Sequence, residues 1–155
     1  GGRRIKRSIN IDIGSIKICS SDMVSKYKKF DLLREYIDNK IAEISEYNSS
    51  LEADSDSALN QRALTNIGTF RAYISEYLKS HKNIHDGMTF LVRQLEPNEY
   101  GVPIQIYVFT NETDWIEYES IQSDIFDHLL AVSREFDLRV FQNPSGKDFQ
   151  KLIKE

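Results

Sequence analysis

The hydrophobic period changes several times along this chain, and the order of these changes limits the folds that it can adopt. In residues 8–13, apolar residues alternate with polar ones, which predicts a half-buried strand. From residue 20 onward the period becomes three and four, which predicts an amphipathic helix capped by Ser21 or Asp22. Its apolar stripe consists of Met23, Tyr27, Phe30, Leu33, Ile37, Ile41 and Ile44.

The middle of the chain contains a polar segment and a second helical stripe. Residues 48–60 are rich in Ser, Asp and Ala, and we interpret them as a loop. A helical spacing follows over residues 67–78, and the polar residues 81–87 predict a turn.

Two apolar segments then predict an antiparallel hairpin. Residues 88–95 and 104–109 have strand composition, and the intervening residues 97–101 are turn formers, although this loop exceeds the tight two-residue type. Both segments are apolar on both faces, which is typical of strands near the centre of a covered sheet.

The last long stripe predicts a helix that starts at Asp114. Asp114 can cap it, and Glu117 three positions later can complete a capping box. Its apolar residues are Ile121, Ile125, Leu129, Val132 and Phe136, widened by Trp115, Tyr118, Phe126 and Leu130. Residues 138–141 predict a short final strand, which ends at Pro144, and a Lys-rich tail follows.

This order of elements predicts an α+β fold. Without the extra helix in residues 48–80, it is the ferredoxin-like split β-α-β order. We therefore expect a sandwich with helices on one face of a mostly antiparallel sheet and a helical insertion at about residues 48–80.

Composition and charge narrow the possible functions. The net charge is −4 and the pI about 5.5, which argues against a general nucleic-acid binder. One cysteine, Cys19, excludes an internal disulfide. The sequence lacks the run of about 18 apolar residues that a spanning helix needs. The chain starts at Gly1 without Met, so we expect a fragment of a longer protein.

Four residues are candidates for chemistry. His81 and His85 are four apart and could begin a metal site, but two solvated histidines are the simpler interpretation. His128 follows Asp124 by four residues, which allows either acid–base work or an exposed helical pair. Cys19 precedes a helix, where a thiol pKa can fall, although a packing role is commoner. Phosphate-loop, dinucleotide-fingerprint and nucleophile-elbow motifs are absent from the sequence.

A nucleic-acid interpretation rests on two further features. Tyr107 and Phe109 lie on one face of an internal strand, and residues 3–7 carry four basic side chains. The strand lacks the signature of RNA-recognition motifs, so packing of the two rings under helices or against another subunit is the alternative.

Several runs of this sequence resemble the C-terminal region of small-conductance mechanosensitive channels, and more narrowly their bacterial miniconductance branch. These runs are residues 1–9, Leu64–Tyr73, Met88–Pro97, Ile121–Leu130 and Leu138–Gln142. The resemblance implies a homoheptameric membrane channel that tension opens during osmotic stress. The α/β domains of such a channel enclose a vestibule on the cytoplasmic side of the bacterial inner membrane.

The resemblance also implies a division of the chain. Residues 1–8 would end an upstream β domain, residues 9–146 would form the α/β domain, and residues 147–155 would be a tail. We expect an assembly module that contacts other copies and passing ions or solutes, without catalytic, cofactor-binding or metal residues and without nucleic acid. Charges on the inner wall, with Glu96, Glu99, Glu117 and Lys147 as candidates, would bias which solutes reach the pore. A small-ligand or RNA-binding ferredoxin-like regulatory domain is the alternative, and a hydrolase built on His128 is a third possibility.

Overall fold

The computed structural model describes residues 1–50 and 63–154. Among these, the helices are α1 (Ser21–Tyr27), α2 (Arg34–Ser49), α3 (Asn66–Lys79), α4 (Trp115–Val132) and α5 (Gly146–Lys154), and the strands are β1 (Arg4–Ile11), β2 (Leu91–Gln94) and β3 (Val102–Phe109). The expected α+β architecture is confirmed.

The sheet is antiparallel with the order β1-β3-β2. Ile5 of β1 lies opposite Val108 of β3, and Val92 of β2 lies opposite Ile106. Residue 140 forms a single antiparallel bridge with Ile11, on the free side of β1. The resulting spatial order is consistent with a ferredoxin-like split β-α-β arrangement.

One face of the sheet is packed against helices, because alternate residues of β1 and β3 are apolar and buried. A single core joins this face to the buried sides of α3 and α4. Its members include Ile5, Ile9, Ile11, Val102, Ile104, Ile106 and Val108 from the sheet, Phe70, Ile74 and Leu78 from α3, and Ile121, Ile125 and Leu129 from α4.

Strand β1 begins earlier and ends earlier than the sequence pattern predicts. Residues 4–7 of the basic segment and Ser8 pair with β3 in the same register as residues 9–11. The expectation for Ile13 is wrong, since Ile13 is exposed in a short 3-10 turn that Asp12 caps through the N–H of Gly14. The first strand therefore runs through residue 8 without interruption.

The long helix predicted from residue 20 is two helices. Residues 28–33 form turns in which the N–H of Phe30 and the N–H of Leu33 donate to carbonyls three residues back. This tighter winding lets Tyr27 and Phe30 both pack on the ring of Phe136, at 5.1 and 6.0 Å between centroids. The cap is also one residue earlier than predicted, because Ser20 accepts from the N–H of Met23.

The predictions for the segments around α2 and α3 had mixed outcomes. The predicted loop at residues 48–60 is wrong at its start, because α2 continues to Ser49, and residues 51–62 lie outside the described residues. Helix α3 is confirmed, with Thr65 as its cap.

The hairpin is confirmed, but its first strand and its turn differ from the prediction. Strand β2 covers only residues 91–94 and is mainly exposed because it lies at the sheet edge. Asn98 and Gly101 exchange backbone hydrogen bonds of 2.9 and 3.0 Å, so the reversal itself is shorter than the predicted loop. Gly101 has φ of +97°, a conformation that favours glycine.

The C-terminal third has three differences from the prediction. Asp114 caps α4, but the N–H of Asp114 donates to Glu112, so Glu117 does not complete a capping box. The predicted final strand is only the bridge at residue 140, held by the N–H of Phe141 donating to the carbonyl of Asn10. Residues 147–154 of the predicted tail belong to helix α5, which begins at Gly146.

Candidate functional site

His81 and His85 lie in the turn after α3 and do not converge on a common point. Nδ1 of His81 accepts a hydrogen bond from the N–H of Asn83 at 3.1 Å, and Nδ1 of His85 accepts one from the N–H of Gly87 at 2.9 Å. Each ring therefore closes its own local turn. Across residues 1–50 and 63–154, no group of three or more potential metal ligands is present.

His128 contacts a different helix from the one that the sequence spacing suggested. Its Nε2 lies 2.7 Å from the hydroxyl of Tyr73, and its ring stacks on Tyr77 with 4.4 Å between centroids. The interpretation as an exposed pair with Asp124 is wrong, because His128 packs against Tyr73 and Tyr77 of α3. The i,i+4 rule considers only neighbours on the same helix and therefore could not predict these partners. Burial lowers the pKa of His128.

The rings around His128 form a cluster between α3 and α4, which we call the His–Tyr cluster: Tyr73, Tyr77, His81 and His128. Tyr73 stacks on Tyr77, and His81 meets Tyr77 edge-on. Burial lowers the pKa of His81, Lys82 acts in the same direction, and Asp124 opposes them. Hydrogen bonding and stacking here join two core helices, which is a packing role.

Cys19 is half-buried and packs against the core. Its backbone N–H donates to the carbonyl of Leu64 at 2.8 Å. Burial raises the pKa of its thiol, and a hydrogen bond with Thr69 only partly opposes this effect. The lowered pKa that its place before a helix suggested is therefore wrong, and the packing interpretation fits.

Tyr107 and Phe109 lie on the face of the sheet opposite the core, so packing of these two rings beneath the helices of their own chain is wrong. Their rings meet edge-on at 5.8 Å, and the guanidinium of Arg4 lies 5.7 Å from the ring of Tyr107. The strand register places Lys6 and Leu91 directly beside Tyr107. We call this surface the open sheet face: Arg4, Lys6, Leu91, Arg93, Tyr107 and Phe109.

The other two basic residues of the segment 3–7, Arg3 and Arg7, contact α4 and the residue Thr113 just before it. The guanidinium of Arg7 lies 4.0 Å from the ring centroid of Phe126, and Nε of Arg3 donates to the carbonyl of Thr113 at 2.7 Å. The hydroxyl of Tyr118 donates to the carbonyl of Arg4 at 2.6 Å. The basic cluster is therefore divided, since Arg4 and Lys6 face away from the core while Arg3 and Arg7 fasten β1 to α4.

The four charged candidates for a solute-facing wall are all exposed. Glu96 and Glu99 lie in the β2–β3 connection, Glu117 lies in the first turn of α4, and Lys147 lies in α5. Because they belong to three separate regions, they do not form one local site within a single chain.

Asn66 is a buried polar residue that the sequence analysis did not single out. Its Nδ2 donates to the carbonyls of Ser15 and Phe136 at 2.9 and 3.0 Å, and its Oδ1 accepts from the N–H of Lys17 at 2.9 Å. The available signal was an amide residue directly after Thr65, at the start of an apolar stripe. This side chain ties three segments of the chain together.

Arg139 and Asp12 form a second junction that the sequence analysis missed. Nε and Nη2 of Arg139 donate to Oδ2 of Asp12 at 3.0 and 2.8 Å. These bonds hold residues 138–141 beside the end of β1. The hydrogen bond from Arg139, together with the N–H of Gly14, lowers the pKa of Asp12.

Comparison with known protein families identifies the core of this domain. None of the helices in the described ranges has the length and hydropathy of a bilayer-spanning segment. Residues 65–140 match the family model described as mechanosensitive ion channel MscS, C-terminal, which represents a channel domain and not an enzyme family. The match extends from the cap of α3 to the bridge at Val140 and includes the hairpin and α4. Residues 65–140 of this chain therefore belong to the C-terminal domain of the MscS family of mechanosensitive ion channels.

Proposed function

We propose that this domain forms part of the wall of a vestibule below a channel pore that membrane tension opens during osmotic stress. The match of residues 65–140 to the channel family carries this proposal. The contacts of the candidate histidines and of Cys19 are those of packing residues, which fits a wall without turnover chemistry.

The proposal includes the setting of the domain. We place it on the cytoplasmic side of a bacterial inner membrane, in the miniconductance branch, as one of seven identical subunits. Residues 1–8 would complete an upstream β domain and residues 9–146 the α/β domain, although β1 continues through that boundary as one strand.

The test uses the full-length parent protein in membrane patches under suction. We expect stepwise conductance that rises with applied pressure, and patches from membranes without the protein serve as the control. If the protein is present in the membrane and suction evokes no conductance, the proposal fails.

The exposed charges provide a finer test of the wall. If Glu96 and Glu99 face the solute path, the Glu96→Gln/Glu99→Gln variant will lower the cation preference of the open channel, because a ring of carboxylates concentrates cations. Glu35→Gln on α2 is the matched control, since it removes an exposed carboxylate from another region. An unchanged reversal potential in the double variant would remove these residues from the path.

The open sheet face supports a second candidate function, a ferredoxin-like domain that binds RNA or a small ligand. Aromatic rings beside Arg4, Lys6 and Arg93 are the groups on which unpaired bases stack. This function predicts RNA binding that weakens steeply with salt and is lost in Tyr107→Ala. A screen of short RNAs, nucleotides and amino acids without a thermal shift would exclude it.

A further inference from the structure

Residues 81–87, which we call the histidine turn, contain two imidazoles with the same local role. Nδ1 of His81 accepts a hydrogen bond from the N–H of Asn83, and Nδ1 of His85 accepts one from the N–H of Gly87. A ring nitrogen that accepts a hydrogen bond carries no proton, so each neutral imidazole holds its proton on Nε2. A Cβ at Gly87 would lie 3.1 Å from Cε1 of His85, so the glycine allows the backbone to approach this ring closely.

Protonation reverses the role of these rings. An imidazolium donates from both nitrogens and accepts from neither. When Nδ1 of His81 or of His85 gains a proton, it faces a backbone N–H that is also a donor, and the hydrogen bond is lost. Histidine is the side chain that ordinarily gains this proton between about pH 5 and pH 8. Both rings are partly exposed, so protons from solvent can reach them.

The histidine turn fastens the end of α3 to the end of β3. The N–H of His85 donates to the carbonyl of Phe109 at 2.7 Å, and the N–H of Asn111 donates to the carbonyl of Asn83 at 3.0 Å. Nδ2 of Asn111 also donates to the carbonyl of Lys82 at 2.8 Å. Asn111 lies in the short connection from β3 to α4, so this turn joins three elements of the domain.

We propose that the histidine turn is a pH-sensitive latch. It holds α3 against the end of β3 while both imidazoles are neutral, and it loosens when they are protonated. This inference goes beyond the proposed vestibule wall, because it requires neither assembly nor a pore. It also gives His81 and His85 a shared role that does not involve a metal ion.

Titratable and charged groups from α3, α4 and the turn itself surround the two rings: Tyr77, Lys79, Lys82, Asp86 and Asp124. Burial lowers the pKa of His81, Lys82 acts in the same direction and Asp124 opposes them, so this ring stays neutral to a lower pH than an ordinary histidine. His85 shares a polar cavity with both lysines and Asp86. The positive charge that acid adds in this cavity therefore meets two cations and one carboxylate.

NMR of the native 155-residue chain tests the hydrogen-bonding pattern first. At about pH 7.5, the ¹⁵N shifts of both rings should show a bare Nδ1 and a protonated Nε2. At about pH 5.5, the amides of Asn83 and Gly87 should lose about tenfold in hydrogen-exchange protection, after correction for the intrinsic rate, because each has lost one hydrogen bond. A proton on Nδ1 at the higher pH, or equal protection at both pH values, would overturn the inference.

The same measurement shows whether the latch acts on its neighbours. The amides of His85 and Asn111, which bond across to β3 and to the turn, should lose protection together with those of Asn83 and Gly87. The amide of Ile106, in the centre of the sheet, should lose less. An equal loss at Ile106 would mean that acid unfolds the whole domain, which would contradict a local latch.

Substitutions separate the proton from the shape of the turn. An asparagine side chain can accept from the N–H two residues later but does not titrate, so His81→Asn/His85→Asn should keep high protection at both pH values. His81→Ala/His85→Ala lacks the acceptors and should be about tenfold less protected at both. His128→Gln, which leaves the turn unchanged, is the matched control and should keep the native pH dependence. A pH-dependent loss that persists in the asparagine variant would overturn the latch.

Discussion

Nδ2 of Asn66 donates a hydrogen bond to the carbonyl oxygen of Phe136 across 70 residues of sequence. The same amide also bonds Ser15 and Lys17, so one buried side chain fixes the start of α3, the turn after β1 and the end of the α4 region. The core on this side of the domain therefore depends on a buried polar residue whose amide nitrogen and oxygen both have hydrogen-bond partners.

Replacing this residue tests its role. We expect Asn66→Ala to lower the free energy of unfolding by about 2–4 kcal/mol, since two carbonyls and one N–H lose their partner in a buried place. Denaturant unfolding measures the change. Asn39→Ala, at an exposed position of α2, should stay within about 0.5 kcal/mol. Similar losses in both variants would argue against the junction.

Gly101 is expected to tolerate no side chain. A Cβ at this position would meet the carbonyl oxygen of Ile11, and φ is +97°. Gly101→Ala should therefore lower the free energy of unfolding by about 1–3 kcal/mol. Gly146→Ala is the matched control, because nothing lies near a Cβ there, and thermal unfolding of the two variants provides the comparison. A neutral Gly101→Ala would mean that β1 can shift away from the turn.

The His–Tyr cluster predicts acid sensitivity. The folded-state pKa values of His81 and His128 are lowered, so between these values and the ordinary 6.5 the unfolded chain binds more protons than the folded one. Stability is therefore expected to fall as pH decreases below about 6.5 and to level off below the folded-state values.

Thermal unfolding in a pH series from about 7.5 to about 5.5 measures this effect. The double variant His81→Gln/His128→Gln should have a flatter profile than the native chain. Tyr73→Phe removes the hydroxyl that bonds His128 and keeps the ring stacking, so it separates the hydrogen bond from the packing. Profiles of equal slope in the native chain and the double variant would contradict the prediction.

The Asp12–Arg139 pair predicts an effect at lower pH. Because the pKa of Asp12 is lowered, its ionised carboxylate stabilises the folded state at pH values above the ordinary pKa of 3.8. This stabilisation is lost as the pH falls through the folded-state pKa. Arg139→Gln should raise the Asp12 pKa, which an NMR titration of its carboxyl carbon would detect. Arg34→Gln, which breaks the separate pair with Asp31, should leave that titration unchanged.

Periodicity predicted those elements in which each helix or strand has one clear apolar face. Helix α3, the hairpin and the capped start of α4 follow from the spacing of Ile67, Ile104 and Asp114. The break between α1 and α2 could not be predicted in this way, because Tyr27, Phe30 and Leu33 keep a helical spacing through it. Its cause is the ring of Phe136, more than 100 residues away.

The contacts at the candidate sites were less predictable than the fold. Local rules paired His128 with Asp124, but the partner is Tyr73, which only the packing of α3 on α4 brings near. Arg139 and Asp12 are 127 residues apart, so no local pattern relates them. Contacts between side chains of different helices and strands depend on tertiary packing. The hydrophobic period of a single helix or strand gives no information about that packing.

The uninterrupted strand β1 has a mechanical consequence for a domain of this family. All eight of its residues face β3 in one antiparallel register. A force applied to the backbone before Arg4 and directed along the strand loads all the β1–β3 hydrogen bonds at the same time. A force perpendicular to the strand breaks these hydrogen bonds one after another. The domain therefore resists extension most strongly along the axis of β1. A force along this axis is transmitted to β3 and to the helices that pack against the sheet.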